Sequence, residues 1–452
     1  MNQNIFREYD IRGKYPEEIN EESVFKIGSG YGSYIKEKFN QTKCVVSMDN
    51  RLSSPSLKEN FINGVISTGV DVVDCGLTTT PMNFYARHKL NLFGAMITAS
   101  HNPKCDNGIK FSFGGPSNAK GKEIYDFQKY VNKSKFIKGN GKISTKDISK
   151  KYIDFLHSGI NMGNKAIKVV LDPGNGVTAN FVNEVFKNEK INLVVINEIS
   201  DGNFPNHHPD PADKKNLRQL QKAVIKHKAD IGIAFDGDGD RVGVVKNDGS
   251  CMSTEELMII AIRSMIDKVK NKKFLYDVKC SKCLEDEIKK LGGTPYLFKT
   301  GASYTQNEVH KKDLPFGGEY SGHIFFRDRI FDVGSAMYGA LRIIECLSKS
   351  DENTVELTKD IVKYHTSEEI KIKTTDEHKK IIVEKMKTYA LNKNFEFSTI
   401  DGVKIFFIEG WVLVRASNTG PNLILRVEAD TEDNMIKLKN FFENKINEAN
   451  IF

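Results

Sequence analysis

Residues 43–50 read KCVVSMDN, and the same kind of phrase returns as IKVVLDPG at 167–174 and KKFLYDVK at 272–279. Each is a β-rich apolar run that closes near an aspartate, Asp49, Asp172 or Asp277. Each leads into a segment with helical spacing, SPSLKENFINGVIST at 54–68, VTANFVNEVFKN at 177–188 and KCLEDEIKKLG at 282–292. A second apolar run follows: VDVVDCG, INLVVINE or TPYLFKT. The apolar period changes from two to 3.6 and back, which is the βαβ pattern with its right-handed crossover. Three repeated Rossmann-like, mixed-sheet α/β units are therefore expected.

Working outward, each repeat has a polar loop after its second strand: TTTPM at 78–82, DGNFPNHHPDP at 201–211 and KTGAS at 299–303. A third short apolar strand comes next, GAMIT at 94–98, DIGIAF at 230–235 and the weaker LPF at 314–316. It opens into the most unusual loop of its repeat: TASHNP, DGDGDR or GGEYSGH. Open α/β sheets bind ligands beyond the carboxyl ends of their strands. Three units facing one central cleft would pool these loops; three independent units with unrelated turns are the alternative. The stretch 139–150, GNGKISTKDISK, reads as a linker. From about residue 366 the texture changes to strand, helix, hairpin and meander, and TEDNMIKLKNFFENKINEA closes as a helix capped by Thr431. The expected division is 1–148, 149–250 and 251–365 for the α/β units, and 366–452 for a C-terminal α+β domain.

A chain of 452 residues exceeds what one hydrophobic core supports, in keeping with that division. Its net charge of +7 is spread among acidic partners, not gathered in a basic stripe, which argues against nucleic acid. No apolar stretch approaches membrane-spanning length, and no membrane partner is expected. Seven cysteines, an odd number, argue against a disulfide framework and for the cytoplasm. Cys280 and Cys283 form a lone C-x-x-C that reads as a buried thiol pair. Gly28, Gly30 and Gly32 mimic a dinucleotide fingerprint, but they lie inside a helical pattern with no strand before them.

Asp236-Gly-Asp-Gly-Asp-Arg241 is the strongest chemical signal. Asp236, Asp238 and Asp240 directly after a buried strand repel one another unless a cation or solvent separates them; a hard divalent ion fits, and a solvated acidic turn is the alternative. An EF-hand is excluded, because its sixth and twelfth positions are here Arg241 and Asn247. Ser100 follows a strand, beside His101 and Asn102, with Lys110 a little further on; it is a nucleophile candidate or the hydroxyl of a simple turn. In GGEYSGH, Glu319 and Ser321 suit vicinal hydroxyls and His323 suits proton exchange, although an ordinary Gly-rich turn has the same spacing. Arg415, Ser417, Asn418 and Thr419 form either a phosphate-enveloping loop or a polar hairpin. Tyr9 and Arg12 lie among charged neighbours near the start.

Together FREYDIRG, TASHNP, DGDGDR, GGEYSGH and RASNTGP, in this order along nearly the whole chain, resemble the α-D-phosphohexomutase family. FPNHHPDP and DVKCSK are most similar to its bacterial phosphomannomutase/phosphoglucomutase branch. The resemblance implies a heart-shaped molecule of four domains around a cleft. It implies that phosphorylated Ser100 donates to a hexose phosphate, giving a hexose 1,6-bisphosphate that turns over in place and returns its other phosphate. By the same resemblance one Mg²⁺ per chain sits on Ser100, Asp236, Asp238 and Asp240. Arg241 and Lys110 would steady phosphoryl oxygens, and Arg12, Lys110 and His323 would move protons. His101, Glu319, Tyr320, Ser321, Gly322 and His323 would contact the sugar phosphate. Arg415, Ser417, Asn418 and Thr419 would hold the distal phosphate with Tyr9 and Lys279. A monomer or weak homodimer is expected, with a C-terminal domain that closes over substrate.

Three departures bear on substrate preference. Ala302 stands where relatives often carry His, Tyr320 where Met is common, and Gly420 where a bulkier residue is usual. A phosphoglucosamine mutase is the nearest alternative, though its sugar loop usually has Gln at the position of Tyr320. A non-catalytic sugar-phosphate sensor and a metal-dependent phosphatase are the others.

Overall fold

The computed structural model describes residues 2–418 and 420–450. The three opening phrases become strands Lys43–Met48, Ile167–Asp172 and Lys273–Asp277. Each lies inside its own sheet, with a parallel partner on either side: Asp71–Leu77 and Phe93–Ile97, Ile191–Val195 and Ile231–Phe235, Thr294–Phe298 and Phe316–Gly318. The second of these partners then pairs antiparallel with the next strand, Asp106–Phe111, Val242–Lys246 or Ile324–Phe326. The three sheets thus share one four-strand topology. TASHNP, DGDGDR and GGEYSGH all occupy the turn between the last parallel strand and its antiparallel neighbour.

Two segments differ from expectation. Residues 177–188 do not make a full helix; a 3₁₀ turn, Val177–Asn180, meets a single helical turn, Val182–Val185. Phe181 breaks the path at φ −125°, and burial of Phe181, Val182, Val185 and Phe186 overrides the helical period. Part of the supposed linker, Ile143–Thr145, joins the edge of the first sheet parallel to Asp71–Leu77. Its side chains are exposed, so no apolar alternation marks it.

The glycines at 28–32 find their purpose in the helix pair Glu21–Phe39 and Ser54–Ile66. A Cβ on Gly28 would stand 2.3 Å from the carbonyl oxygen of Phe61, and one on Gly64 would stand 2.2 Å from that of Phe25. The two backbones therefore touch. Gly28→Ala is expected to destabilise the protein by about 2 kcal/mol, because overpacking against a backbone oxygen outweighs the helix-propensity gain. The check is a urea midpoint that falls at unchanged m.

The first three sheets share a continuous apolar core running from Val45 to Ile361. The C-terminal sheet is built around Gly410–Ala416 and Asn422–Ala429, and it has a core of its own with helices His378–Asn392 and Glu432–Asn450. Thr431 Oγ1 accepts from the Asn434 amide, as expected of a cap. This last unit meets the third sheet through a small patch, Val278, Trp411 and Leu413, flanked by buried charges. Among the described residues no helix is long and apolar enough to cross a membrane.

Candidate active site

DGDGDR is held from both sides. Toward the first sheet, the Thr80 amide donates to the Asp238 carbonyl at 2.9 Å, and Ser100 Oγ donates to Asp236 Oδ2 at 2.8 Å. A Cβ on Gly237 would sit 2.4 Å from the carbonyl oxygen of Ser100, so only glycine lets these loops meet. Toward the third sheet, the Val242 amide donates to Gly322 O at 3.1 Å and Arg241 Nε donates to His323 Nε2 at 3.1 Å. Gly322 is at φ +93°, where a Cβ would come within 2.6 Å of Val242 O; it belongs to this seam.

Ser100 itself is left-handed, with φ 52°. Such backbone in a non-glycine residue costs of order 1–2 kcal/mol and must be imposed by its surroundings. Thr98 Oγ1 accepts from the Ser100 amide at 2.9 Å, and Arg51 Nη2 donates to its carbonyl at 2.7 Å. Arg51, 1% exposed, also donates to the carbonyls of Asn102, Pro103 and Asp106 and to Asp49 Oδ2. The sequence reading passed over Arg51; its only signal was its place two residues beyond a strand-end aspartate. The other two strand-end aspartates are also anchors. Asp172 accepts from His207 Nε2 at 2.9 Å, and Asp277 accepts from Thr300 Oγ1 at 2.9 Å and the Tyr320 amide at 3.3 Å.

The three carboxylates of Asp236, Asp238 and Asp240 are buried, with one oxygen from each lying within 4.8 Å of the others. They are the sole such cluster among the described residues. Asp236 Oδ1 accepts from the amides of Gly239, Asp240 and Arg241. Asp238 Oδ2 accepts from Thr80 Oγ1, Thr98 Oγ1 and Lys110 Nζ, and Asp240 Oδ2 accepts from Lys110 Nζ at 2.7 Å. Asp238 Oδ1 and Asp240 Oδ1 are buried without a partner. Oxygen donors alone, two of them unsatisfied, match the needs of a hard cation. Burial, with Asp240 and Asp238 beside it, drives the Asp236 carboxyl well up. Burial acts the same way on Asp240, but Lys110, His323 and Arg241 outweigh it and hold that carboxyl down.

Arg241 can only donate, so His323 Nε2 is an acceptor and its proton lies on Nδ1, directed at the Asp240 carbonyl 2.9 Å away. Burial keeps this imidazole neutral, with its pKa down at about 4. His101 Nδ1 lies 3.2 Å from Ser100 Oγ. Arg12 donates to Asn102 Oδ1 and Asp10 Oδ2 at 2.7 and 2.6 Å.

Ser100, His101, Lys110, Asp240, Arg241 and His323 line one cleft of about 270 Å³ to which all four units contribute. Glu319, 1% exposed, accepts from the Gly301 amide and Thr305 Oγ1 at 2.7 and 2.6 Å. Burial and then Asp277 push its pKa up to about 7. Ser321 Oγ lies 3.4 Å from Glu319 Oε2. Tyr320 stacks under the Arg426 guanidinium at 3.7 Å. Lys279 is in the cleft, but its ammonium is paired with Glu369 at 2.7 Å, a partner the sequence reading did not foresee. Arg415 Nε donates to Asp401 Oδ2 at 2.9 Å, while its Nη2 is buried without a partner. Lys379 Nζ ties the following turn together by donating to the carbonyls of Ser417 and Gly420. Asn418 Nδ2 donates to the Tyr9 hydroxyl, which donates to Thr300 O at 3.1 Å, so first, third and fourth units meet there. Thr419 lies outside the described residues. Cys280 and Cys283 are buried free thiols, as read.

Four family models match in succession, described as phosphoglucomutase/phosphomannomutase alpha/beta/alpha domain I over residues 3–137, domain II over 150–249, domain III over 253–365 and C-terminal domain over 369–445. A phosphomannomutase/phosphoglucomutase of Pseudomonas aeruginosa is 35% identical over 444 residues, 98% of this chain and 95% of that protein. A phosphoglucomutase of Neisseria gonorrhoeae is 34% identical over 98% of this chain and 96% of its own length. The crystal structure of a phosphoglucomutase/phosphomannomutase family protein from Burkholderia thailandensis superposes with a TM-score of 0.91 at 30% identity, covering 99% of this chain and 98% of that one.

Proposed function

The chain belongs to the phosphoglucomutase/phosphomannomutase family, enzymes that transfer phosphate within a sugar, and from that premise we propose that it interconverts hexose 1- and 6-phosphates of mannose, glucose or both by cycling a phosphoryl group through Ser100. One observation carries this reading: Ser100 Oγ lies 2.8 Å from a carboxylate of the acidic turn, in the cleft that also holds the unpartnered guanidinium nitrogen of Arg415. A hydroxyl able to carry phosphate and a vacant anion donor in one cleft suit a substrate with two phosphorylatable ends.

Asp236, Asp238 and Asp240, with Ser100, would hold Mg²⁺, which supplies Lewis-acid polarisation of the transferring group. Ser100 Oγ is the atom that carries the phosphoryl group. On donation its O–P bond breaks as a sugar O–P bond forms, and the sugar hydroxyl gives up its proton to a basic group of the cleft. Of the groups expected to move protons, His323 is the neutral one and accepts at Nε2 once Arg241 turns from it toward the phosphoryl oxygens. Lys110, paired with Asp238 and Asp240, and Arg12, paired with Asp10, are cations that act as donors, and Lys110 and Arg241 flank the transferring oxygens. The resulting hexose 1,6-bisphosphate reorients and returns its other phosphate to Ser100. Glu319 and Ser321 hold sugar hydroxyls in either orientation, with His101, Tyr320 and His323 around them. Arg415, Ser417, Asn418 and Thr419 receive the distal phosphate, with Tyr9 and Lys279 alongside. The separate core of the C-terminal unit supports its movement as one body during reorientation. The free thiols support a cytoplasmic setting.

With glucose 1-phosphate or mannose 1-phosphate, Mg²⁺ and a trace of the bisphosphate, the expected product is the 6-phosphate isomer without accumulation of inorganic phosphate. Steady phosphate release with no isomer would establish a phosphatase and overturn the proposal.

A further inference from the structure

A second cavity, of about 340 Å³, lies against helix Thr80–Leu90, walled also by the 112–116 turn and by Phe331 from the third unit. No acidic residue lines it. Arg87 does, and Arg87 is only 6% exposed. Its Nη1 donates to Asn118 Oδ1 at 2.6 Å, its Nη2 donates to Ser117 O at 3.2 Å, and its guanidinium lies 4.6 Å over the Phe84 ring. All of these partners are neutral; among the described residues no carboxylate comes within 4.0 Å of it. Burying an arginine without a counter-charge is costly, and stacking on one ring with two neutral hydrogen bonds offsets only part of that cost. Burial draws its pKa down only to about 10, so the guanidinium stays charged at neutral pH and calls for an anion.

The opposite wall suits one. Gly114 and Gly115 line the cavity in left-handed backbone, φ 101° and 77°, and their amide hydrogens go to no described protein group. A Cβ on Gly115 would meet nothing within 4 Å, so the turn is open on that side. The exposed His88 ring, stacked on Phe331 at 3.6 Å, supplies a flat flank.

We propose that this cavity is a second anion site, taking a phosphate or carboxylate on a body no larger than a monosaccharide, with Arg87 as its charge partner and the Gly114–Gly115 turn as amide donor. The site is wired to the cleft, because Asn118 and Phe84, two of the three groups that hold Arg87, line the cleft as well. An occupant that draws the guanidinium toward itself loosens Asn118 and reshapes the part of the cleft wall that Asn118 forms.

Crystals soaked in tungstate, and others soaked in 3-bromopropionate, separate the phosphate and carboxylate arms. An anomalous peak beside the Arg87 guanidinium in either arm is expected. Peaks at Arg415 alone, or nowhere, overturn the proposal; the Arg415 peak reports separately on the catalytic reading. Arg87→Gln is expected to lose the new peak and keep the one at Arg415, whereas a peak that survives overturns the role of Arg87. Should that variant not fold, Arg87→Lys serves: loss of the fork should weaken the peak, and an unchanged one counts against the assignment.

Discussion

Ser100→Ala is expected to lower kcat for hexose-phosphate isomerisation by at least about 10³-fold, because it removes the hydroxyl proposed to carry the phosphoryl group. The effect should be chemical and not structural. Ala tolerates the left-handed backbone no worse than Ser, and the flanking bonds from Thr98 and Arg51 engage the main chain, which the variant keeps. The losses confined to the side chain are the bond to Asp236 Oδ2 and the contact with His101 Nδ1, which should together cost about 2 kcal/mol of stability. Substrate affinity by calorimetry should change little, since Glu319 and Arg415 are untouched. Intact-mass analysis after incubation with the bisphosphate should show one added phosphoryl group in the parent and none in the variant. Robust turnover by Ser100→Ala would end the case for a phosphoserine route.

The second large effect concerns Asp238. In Asp238→Asn the remaining amide oxygen can still accept from Thr80 and Thr98, but the NH₂ replaces an oxygen in the acidic turn and points donors where a cation needs acceptors. Activity is expected to fall by about 10²-fold or more. Metal-free stability should change little, because the change removes one of three crowded negative charges while Lys110 keeps its ion pair with Asp240. Adding Mg²⁺ at about 100 times its dissociation constant should stabilise the parent by about 2.7 kcal/mol and leave the variant unmoved. Thermal melts with and without Mg²⁺ decide it. A parent whose melting point ignores the ion would remove the cation from the mechanism.

Much of this was legible in the chain, for physical reasons that differ by element. The runs 43–48, 167–172 and 273–277 announce themselves because their strands are buried and need uninterrupted apolar residues. The acidic turn is conspicuous because three buried carboxylates in five residues have few structural explanations. Partners across distance were hidden. Nothing near Lys279 in sequence signals Glu369, and nothing near Ser100 marks Arg51 as its clamp. The edge strand Ile143–Thr145 rests on backbone pairing with exposed side chains, so it leaves no pattern to find. The broken helix after Gly176 shows the reverse, a pattern present but overruled by packing around Phe181 and Phe186.

The turn that follows the last parallel strand carries different chemistry in each of the three sheets: it bears the hydroxyl at Ser100, the acids at 236–240 and the carboxylate, hydroxyl and imidazole of residues 319–323. Specialisation is thereby uncoupled from architecture. Residues 319–323 can therefore change without altering the turns at 98–103 and 236–241, and no sheet has to be rebuilt.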